Sequence, residues 1–412
     1  MKEKQRPRGL WHNPDFVKLW VGQTVSNFGS GITGIALPLT AVLVLSASPA
    51  QMGILGALDG LAVVVFGLLA GVWVDRVRRR PLLIASDLGR ALLLGSIPLA
   101  ALTGMLSLTQ LYGVAALVGI LTVFFNVADE SYLPTLIPQE QLVEANSKLA
   151  MSDSLAEMSG PALAGPLVQL LSAPLAIVFD ALSFLVSALG VGLIRTSEPQ
   201  PKPAAQQQSA WRESIEGLRT LRRDSRLRAL AISGGLFNFF GNFIGTLYIL
   251  YIVRELHMSA LIVGFLVAAG GVSALVGTFI ARRVIRRIGL GFSIGGMLAF
   301  YGLTGSLIVF AHGSLWLAAT FLFAAQLIGD ASVSIYFIAE VSLRQSIIPN
   351  DLLGRVNASM QLVTRGALPV SAILAGILGE MIGLRLTIAI GVLGVISAGL
   401  WLLLSPVRTA NV

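Results

Sequence analysis

The chain has 412 residues, 55% of them hydrophobic and 12% charged, with mean hydropathy +0.80 and net charge +8. A soluble chain carries about a quarter charged residues, so the basic balance does not imply a soluble nucleic-acid binder. No cysteine is present, which excludes disulfides, thiolate metal sites and cysteine nucleophiles.

Apolar stretches of about 20 residues, the length a helix needs to cross a bilayer, recur from end to end. Barrel strands alternate polar and apolar residues, and these stretches do not. The first residues, MKEKQRPRGLWHNPD, are basic and polar with no apolar core, so no cleavable leader is expected. Twelve spans are predicted, at 17–45, 51–73, 81–104, 108–130, 147–172, 174–194, 228–253, 260–281, 289–311, 315–340, 356–381 and 385–405. With the N-terminus inside, 25 of the 29 Lys and Arg fall in cytoplasmic segments. That asymmetry predicts both termini in the cytoplasm. The 44 glycines and 17 prolines suit helices that pack closely and bend.

The second span leaves the bilayer in GLLAGVWVDRVRRRP, Gly67 to Pro81. Cations suit both a cytoplasmic membrane face and a helix C-terminus. The spacing G-x-x-x-D-R-x-x-R-R, carried by Gly71, Asp75, Arg76, Arg79 and Arg80, resembles the loop between helices two and three of major facilitator superfamily transporters. The resemblance implies a glycine that lets helices approach and an aspartate–arginine latch at a cytoplasmic gate. Arg78 stands where the family usually has glycine, so a looser turn is expected. The competing reading is an arginine loop that only sets orientation.

IPQEQLVEAN (Ile137 to Asn146) aligns with IPNDLLGRVN (Ile348 to Asn357) at a shift of 211 residues. The same shift carries Asn27 to Asn238, Gly34 to Gly245, Asp129 to Glu340 and Gly165 to Gly376. A half-length repeat in one direction predicts an all-α membrane protein of twelve helices in two pseudo-symmetric six-helix halves. The halves are expected at 1–195 and 228–412, joined by a cytoplasmic linker at 196–227. The linker starts as a Pro/Gln segment, TSEPQPKPAAQQQSA, and continues as an amphipathic stretch whose Trp211, Ile215, Leu218 and Leu221 share a face. Surrounding arginines suit an interfacial helix on anionic lipid better than a calmodulin-like target.

In the fifth span, Gly160, Pro161, Ala164 and Gly165 resemble the G-P-x-x-G-G signature of the superfamily's proton-driven export branch, with Ala164 replacing a glycine. Small residues permit a close crossing, and proline removes a backbone donor. The resemblance implies a bent helix packed across the interface between halves. A kinked helix in any transporter is the plainer reading. FVKLWVGQTVSNFGSGITGIALPL, PTLIPQEQLVEAN, FDALSF and SIEGLRTLRRDSRLRAL resemble the exporter subgroup that contains macrolide efflux proteins and the enterobactin exporter.

An ionisable group within a span is costly unless paired or in water, so each is a candidate. Asp87 and Arg90, three apart, are expected to pair as structure. Asp180 is expected in a capping or interfacial role at an outer end. Asp129 and Glu340 are expected to meet arginines at gates. Asp153 and Glu157 share a helix face, an arrangement that suits a proton carrier. Asp330 is expected near the midplane, and Arg365 could neutralise an acid or meet an anionic substrate; Asp59 is a further candidate. Phe237, Phe239, Phe240, Tyr248 and Tyr251 are candidates to line an amphipathic cavity, against the plainer reading that they pack or face lipid.

These readings predict a secondary transporter that exports a small amphipathic, drug-like molecule, a macrolide or a siderophore, by proton antiport. Uptake of a small polar or anionic solute is the alternative, since fold does not fix direction. A lipid-acting membrane enzyme is a poor fit: His12, His257 and His312 are scattered, and there is no H-E-x-x-H. Without a phosphate loop an ATP-driven pump is disfavoured. No cofactor or metal, no nucleic acid, a monomeric state and the bacterial inner membrane are expected.

Overall fold

A computed structural model describes residues 10–74, 76–196, 198, 218–349 and 352–409, with the side chains of Asp59, Leu68 and Val72 excepted. The described residues form helices and turns, with no strand among them. Twelve long helices follow in order: α1 (Pro14–Leu39), α2 (Pro49–Val74), α3 (Arg79–Leu102), α4 (Leu108–Leu136), α5 (Leu142–Leu171) and α6 (Val178–Gly192), then α7 (Ser225–Arg254), α8 (Ala260–Ile288), α9 (Leu290–Phe310), α10 (Leu315–Ile347), α11 (Leu353–Arg365 and Leu368–Ile382) and α12 (Leu384–Leu404). A five-residue π-helix, Thr40–Val44, extends α1, and a one-turn helix, Ala173–Ala176, precedes α6.

Local chemistry places the starts. Asn13 Oδ1 accepts the N–H groups of Asp15 and Phe16 at 3.0 and 3.2 Å, which caps α1. The Asp224 carboxylate caps α7 through the N–H groups of Arg226 and Leu227, and the Ser107 and Ser314 hydroxyls cap α4 and α10. The repeat is visible in the backbone. Ser172 joins α5 to the next helix at φ 108°, ψ 158°, and its counterpart 211 residues on, Gly383, joins α11 to α12 at φ 88°, ψ 159°.

Eleven helices are long and apolar enough to cross a membrane among the described residues. The predicted fifth span is the difference. α5 has 30 residues, about 45 Å at 1.5 Å per residue, yet Glu144, Lys148, Asp153 and Glu157 lower its apolar character. Helix α11 also departs from the single predicted span at 356–381. Pro369 has no N–H for the Arg365 carbonyl and its ring crowds that carbonyl, so the helix stops at Arg365 and restarts at Leu368. In α5, by contrast, the helix runs through Pro161 and Pro166 without a break.

The chain divides into two compact units. The first comprises Met1–Leu37 and Val65–Gln206, the second Pro38–Val64 and Gln207–Val412. The first is cored by Phe16, Leu83, Phe125 and Tyr132, the second by Leu230, Ile294, Tyr336 and Val395. The second unit thus takes in the start of α2, beyond the expected boundary at 228. Gly53 explains the attachment: a Cβ there would lie 2.6 Å from the Ala372 carbonyl oxygen and 2.9 Å from Gly376 Cα. Only a glycine lets α2 come this close to α11.

Candidate functional site

In the first unit, the segment after α2 is built around a carboxylate from the stretch that the sequence marks only as a Pro/Gln linker. Glu198 accepts the backbone N–H groups of Arg79 and Arg80 at 2.7 and 3.2 Å, and Arg79 approaches it again at 3.6 Å. It therefore supplies the anion at the start of α3 that Arg78 lacks as a cap residue. The only signal for this role in the sequence is the negative charge of Glu198 itself. Arg79 also donates to the Ser131 hydroxyl, and Arg80 to the Val191 and Gly192 carbonyls at the end of α6. Arg76 is exposed, and Asp75 lies outside the described residues.

Two expectations for this loop change. Among the described residues, a Cβ on Gly71 would meet nothing within 4 Å, so no neighbour in its own unit requires the glycine. Arg78 has φ −69°, ψ 129°, a conformation open to any residue, whereas its repeat counterpart Gly289 has φ 84°. The arginine therefore fits an extended turn and leaves no strained position for the family's glycine.

Gly160 of α5 meets α1. A Cβ on Gly160 would lie 2.7 Å from Gly31 Cα, and one on Gly31 would lie 3.0 Å from Gly160 Cα. Pro161, Ala164 and Gly165 are buried beside this crossing. The small-residue motif thus has a partner inside its own unit.

Asp153 and Glu157 both stand exposed on α5, and Asn27 of α1 donates to the Asp153 carboxylate. Asp129 takes a hydrogen bond from the Gln23 amide, in place of the expected arginine. Asp180, in the first turn of α6, is buried among protein atoms, where it accepts from Ser183 and Ser30 at 3.2 and 3.4 Å and ties α6 to α1. Asp87 and Arg90 pair at 2.5 Å, and the Arg90 guanidinium lies between the rings of Phe125 and Phe184 at 4.2 and 4.1 Å. This buried cation is held by a carboxylate and two aromatic faces, which accounts for it as structure.

The second unit holds a cavity of about 260 Å³, enclosed by α7, α10 and the first piece of α11. Its aromatic wall is Phe237, Tyr336 and Phe337, with ring centroids 5.1 to 5.9 Å apart. Its polar wall includes Glu340, Arg344, Asn357 and Arg365. Glu340 pairs with Arg344 at 3.5 Å, one turn along the same helix, so it meets an arginine but inside a cavity. Arg344 Nε and Asn357 Oδ1 are buried without a hydrogen-bond partner. Arg365 is exposed and forms no ion pair among the described residues.

Of the aromatics singled out on α7, only Phe237 lines this cavity. Phe239 and Phe240 stack with Phe243, and the Phe240 ring sits against Gly394 of α12. Tyr251 donates to the Ala311 carbonyl at 2.8 Å, and the Tyr248 hydroxyl is buried. Asp330 lies elsewhere in the unit, its carboxylate against Gly270 of α8 where a Cβ would collide. Asp59 lies on α2, and its side chain is outside the described residues.

A family model described as Major Facilitator Superfamily matches residues 19–371. The chain belongs to the major facilitator superfamily. Among its relatives in that superfamily, the macrolide efflux protein A of Streptococcus pyogenes is 25% identical over 90% of each chain. The enterobactin exporter EntS of Citrobacter koseri is 25% identical, over 95% of this chain and 92% of its own. The MFS-type transporter YfiS of Bacillus subtilis is 27% identical, over 89% and 87%. Two solved structures share the fold. The nucleoside transporter NupG has TM-score 0.71 at 12% identity, over 96% of this chain and 100% of that one. A bacterial homologue of the iron transporter ferroportin, in an inward-facing state, has TM-score 0.75 at 19% identity, over 96% and 99%. This major facilitator is therefore a multi-pass membrane transporter by family and fold.

Proposed function

We propose that this major facilitator exports a small amphipathic molecule by alternating access, with proton entry driving the cycle. The observation that carries the reading is the cavity in the second unit, whose lining combines aromatic rings with ionisable and amide groups. A molecule with one apolar and one polar side satisfies both walls, and neither a simple ion nor a lipid tail does. The end of α10 and the start of α11 supply that polar wall, and the charge asymmetry assigns this end to the cytoplasm. Export from the cytoplasm or inner leaflet would begin there. Relatives named for macrolide efflux and enterobactin export support the direction.

Acids on α5 support proton coupling. Asp153 is engaged by Asn27, which leaves Glu157 as the exposed carboxylate one turn away. The reading includes a bacterial inner-membrane location, cytoplasmic termini and a monomeric unit of function. The deciding experiment measures substrate accumulation in cells with and without the protein, each with and without an uncoupler. Lower accumulation that the uncoupler abolishes is the expected result. Higher accumulation in the expressing cells would replace export with uptake.

A further inference from the structure

The cavity in the second unit is lined at positions where the two repeats differ in sequence. Its wall includes Gly234 on α7, and the residue 211 positions earlier is Gln23 on α1. In the first unit, Gln23 donates to Asp129. Glu340, the counterpart of Asp129, has no such neighbour because Gly234 carries no side chain, and it turns to Arg344 instead. A second exchange acts the same way. Asn27 donates to Asp153 in the first unit, while its counterpart Asn238 faces Thr364 in that register and donates to its own Gly234 carbonyl at 2.8 Å. These positions are joined by hydrogen bonds in the first unit and line a cavity in the second, where Thr364 Cγ2 stands 2.8 Å from the place of a Cβ on Gly234.

Charge decides what the hollow would take. Glu340 and Arg344 neutralise each other at 3.5 Å, and Arg365 adds a positive charge with no carboxylate paired to it among the described residues. Arg344 Nε offers a buried N–H, and Asn357 Oδ1 offers a buried acceptor, both without partners. Buried polar groups left open are costly, so a ligand that satisfies them gains what the empty site lacks. Phe237, Tyr336 and Phe337 line the same cavity. A volume of about 260 Å³ lies just below the usual range for small-molecule sites, roughly 300–1,000 Å³. It accommodates one or two fused rings with a small polar group.

We infer that this cavity is a binding site for a small aromatic anion, a ring system that carries one carboxylate or comparable acidic group. Its acid would meet Arg365 and Arg344 Nε–H, a donor on the ligand would meet Asn357 Oδ1, and the ring would lie against Phe237 and Phe337. The inference rests on the transport reading and gives it a substrate class.

The test is equilibrium binding to the purified full chain in lipid nanodiscs at pH 7. The probes are 2-naphthoate, 2-naphthalenemethanol and 2-naphthylmethylamine, which share a ring system and differ in charge. The expected order is naphthoate tightest and the amine weakest, with about tenfold between them. Arg365→Gln should remove most of that preference, and Arg365→Glu should reverse it. Asn357→Leu and Phe337→Ala should weaken naphthoate without changing the order. Equal or tighter binding of the amine to the unmodified chain overturns the inference, as does a naphthoate preference that survives both Arg365 variants. The comparison on the unmodified chain decides by itself if a variant does not fold. Transport is scored separately with the same probes in proteoliposomes. Selective binding without vectorial flux retains the site and removes the transport reading; flux without the anionic preference does the opposite.

Discussion

Gly160 of α5 and Gly31 of α1 pack backbone against backbone, so that a Cβ on either would intrude on the other's Cα at 2.7 or 3.0 Å. Gly160→Val should destabilise the protein by about 1–3 kcal/mol, the usual cost of overpacking. Gly34→Ala, on the same helix α1, meets nothing within 4 Å and should stay within about 0.5 kcal/mol. Thermal unfolding in detergent compares the two. Equal shifts would remove the crossing as the reason for the glycine.

Arg90 is buried with Asp87 between two phenyl rings, so the two partners are not equally replaceable. Arg90→Leu leaves a buried carboxylate without its cation and should cost about 3–5 kcal/mol. The double variant Asp87→Asn with Arg90→Leu should recover most of that loss. Unfolding midpoints of the three proteins read this directly, and a double variant no better than the single one would argue against the pair.

The loop after α2 yields a prediction at three residues. Glu198→Ala removes the acceptor from the N–H groups of Arg79 and Arg80 and should cost about 1 kcal/mol, with a slower transport cycle. Asp75→Asn should cut transport strongly while the protein still reaches the membrane. Arg78→Gly should be tolerated, because Arg78 already holds an unstrained turn. Full transport in a well-expressed Asp75→Asn protein would reduce the motif to an orientation signal.

Coupling is expected to lie on α5. Glu157→Gln should abolish efflux driven by a pH gradient in proteoliposomes yet retain substrate binding and downhill exchange. Asp330→Asn, packed against Gly270 in the other unit, should alter affinity or substrate range and keep the pH dependence. Concentrative efflux by Glu157→Gln would move the proton path to Asp330 or Asp59.

Orientation is open to chemical labelling, because the chain has no native cysteine. A single cysteine within 196–226 should react only from the cytoplasm. One placed at Leu256 or Gly313 should react only from outside. A linker labelled from outside would overturn the charge argument.

By itself, the sequence determined the class, the helix count and the repeat, because these rest on local quantities. Apolar length sets a span, and a shift of 211 carries Ser172 onto Gly383 with nearly the same backbone angles. The Asp87–Arg90 pair was legible for the same reason, since three residues on one helix share a face. Only the tertiary structure decided where distant side chains meet. Nothing local sends Glu198 to the start of α3 or buries Asp180 against α1. The cavity belongs to this second kind. Gly234, Glu340 and Asn357 lie on three helices, and their shared space appears only when packing brings those helices together and no side chain fills the gap.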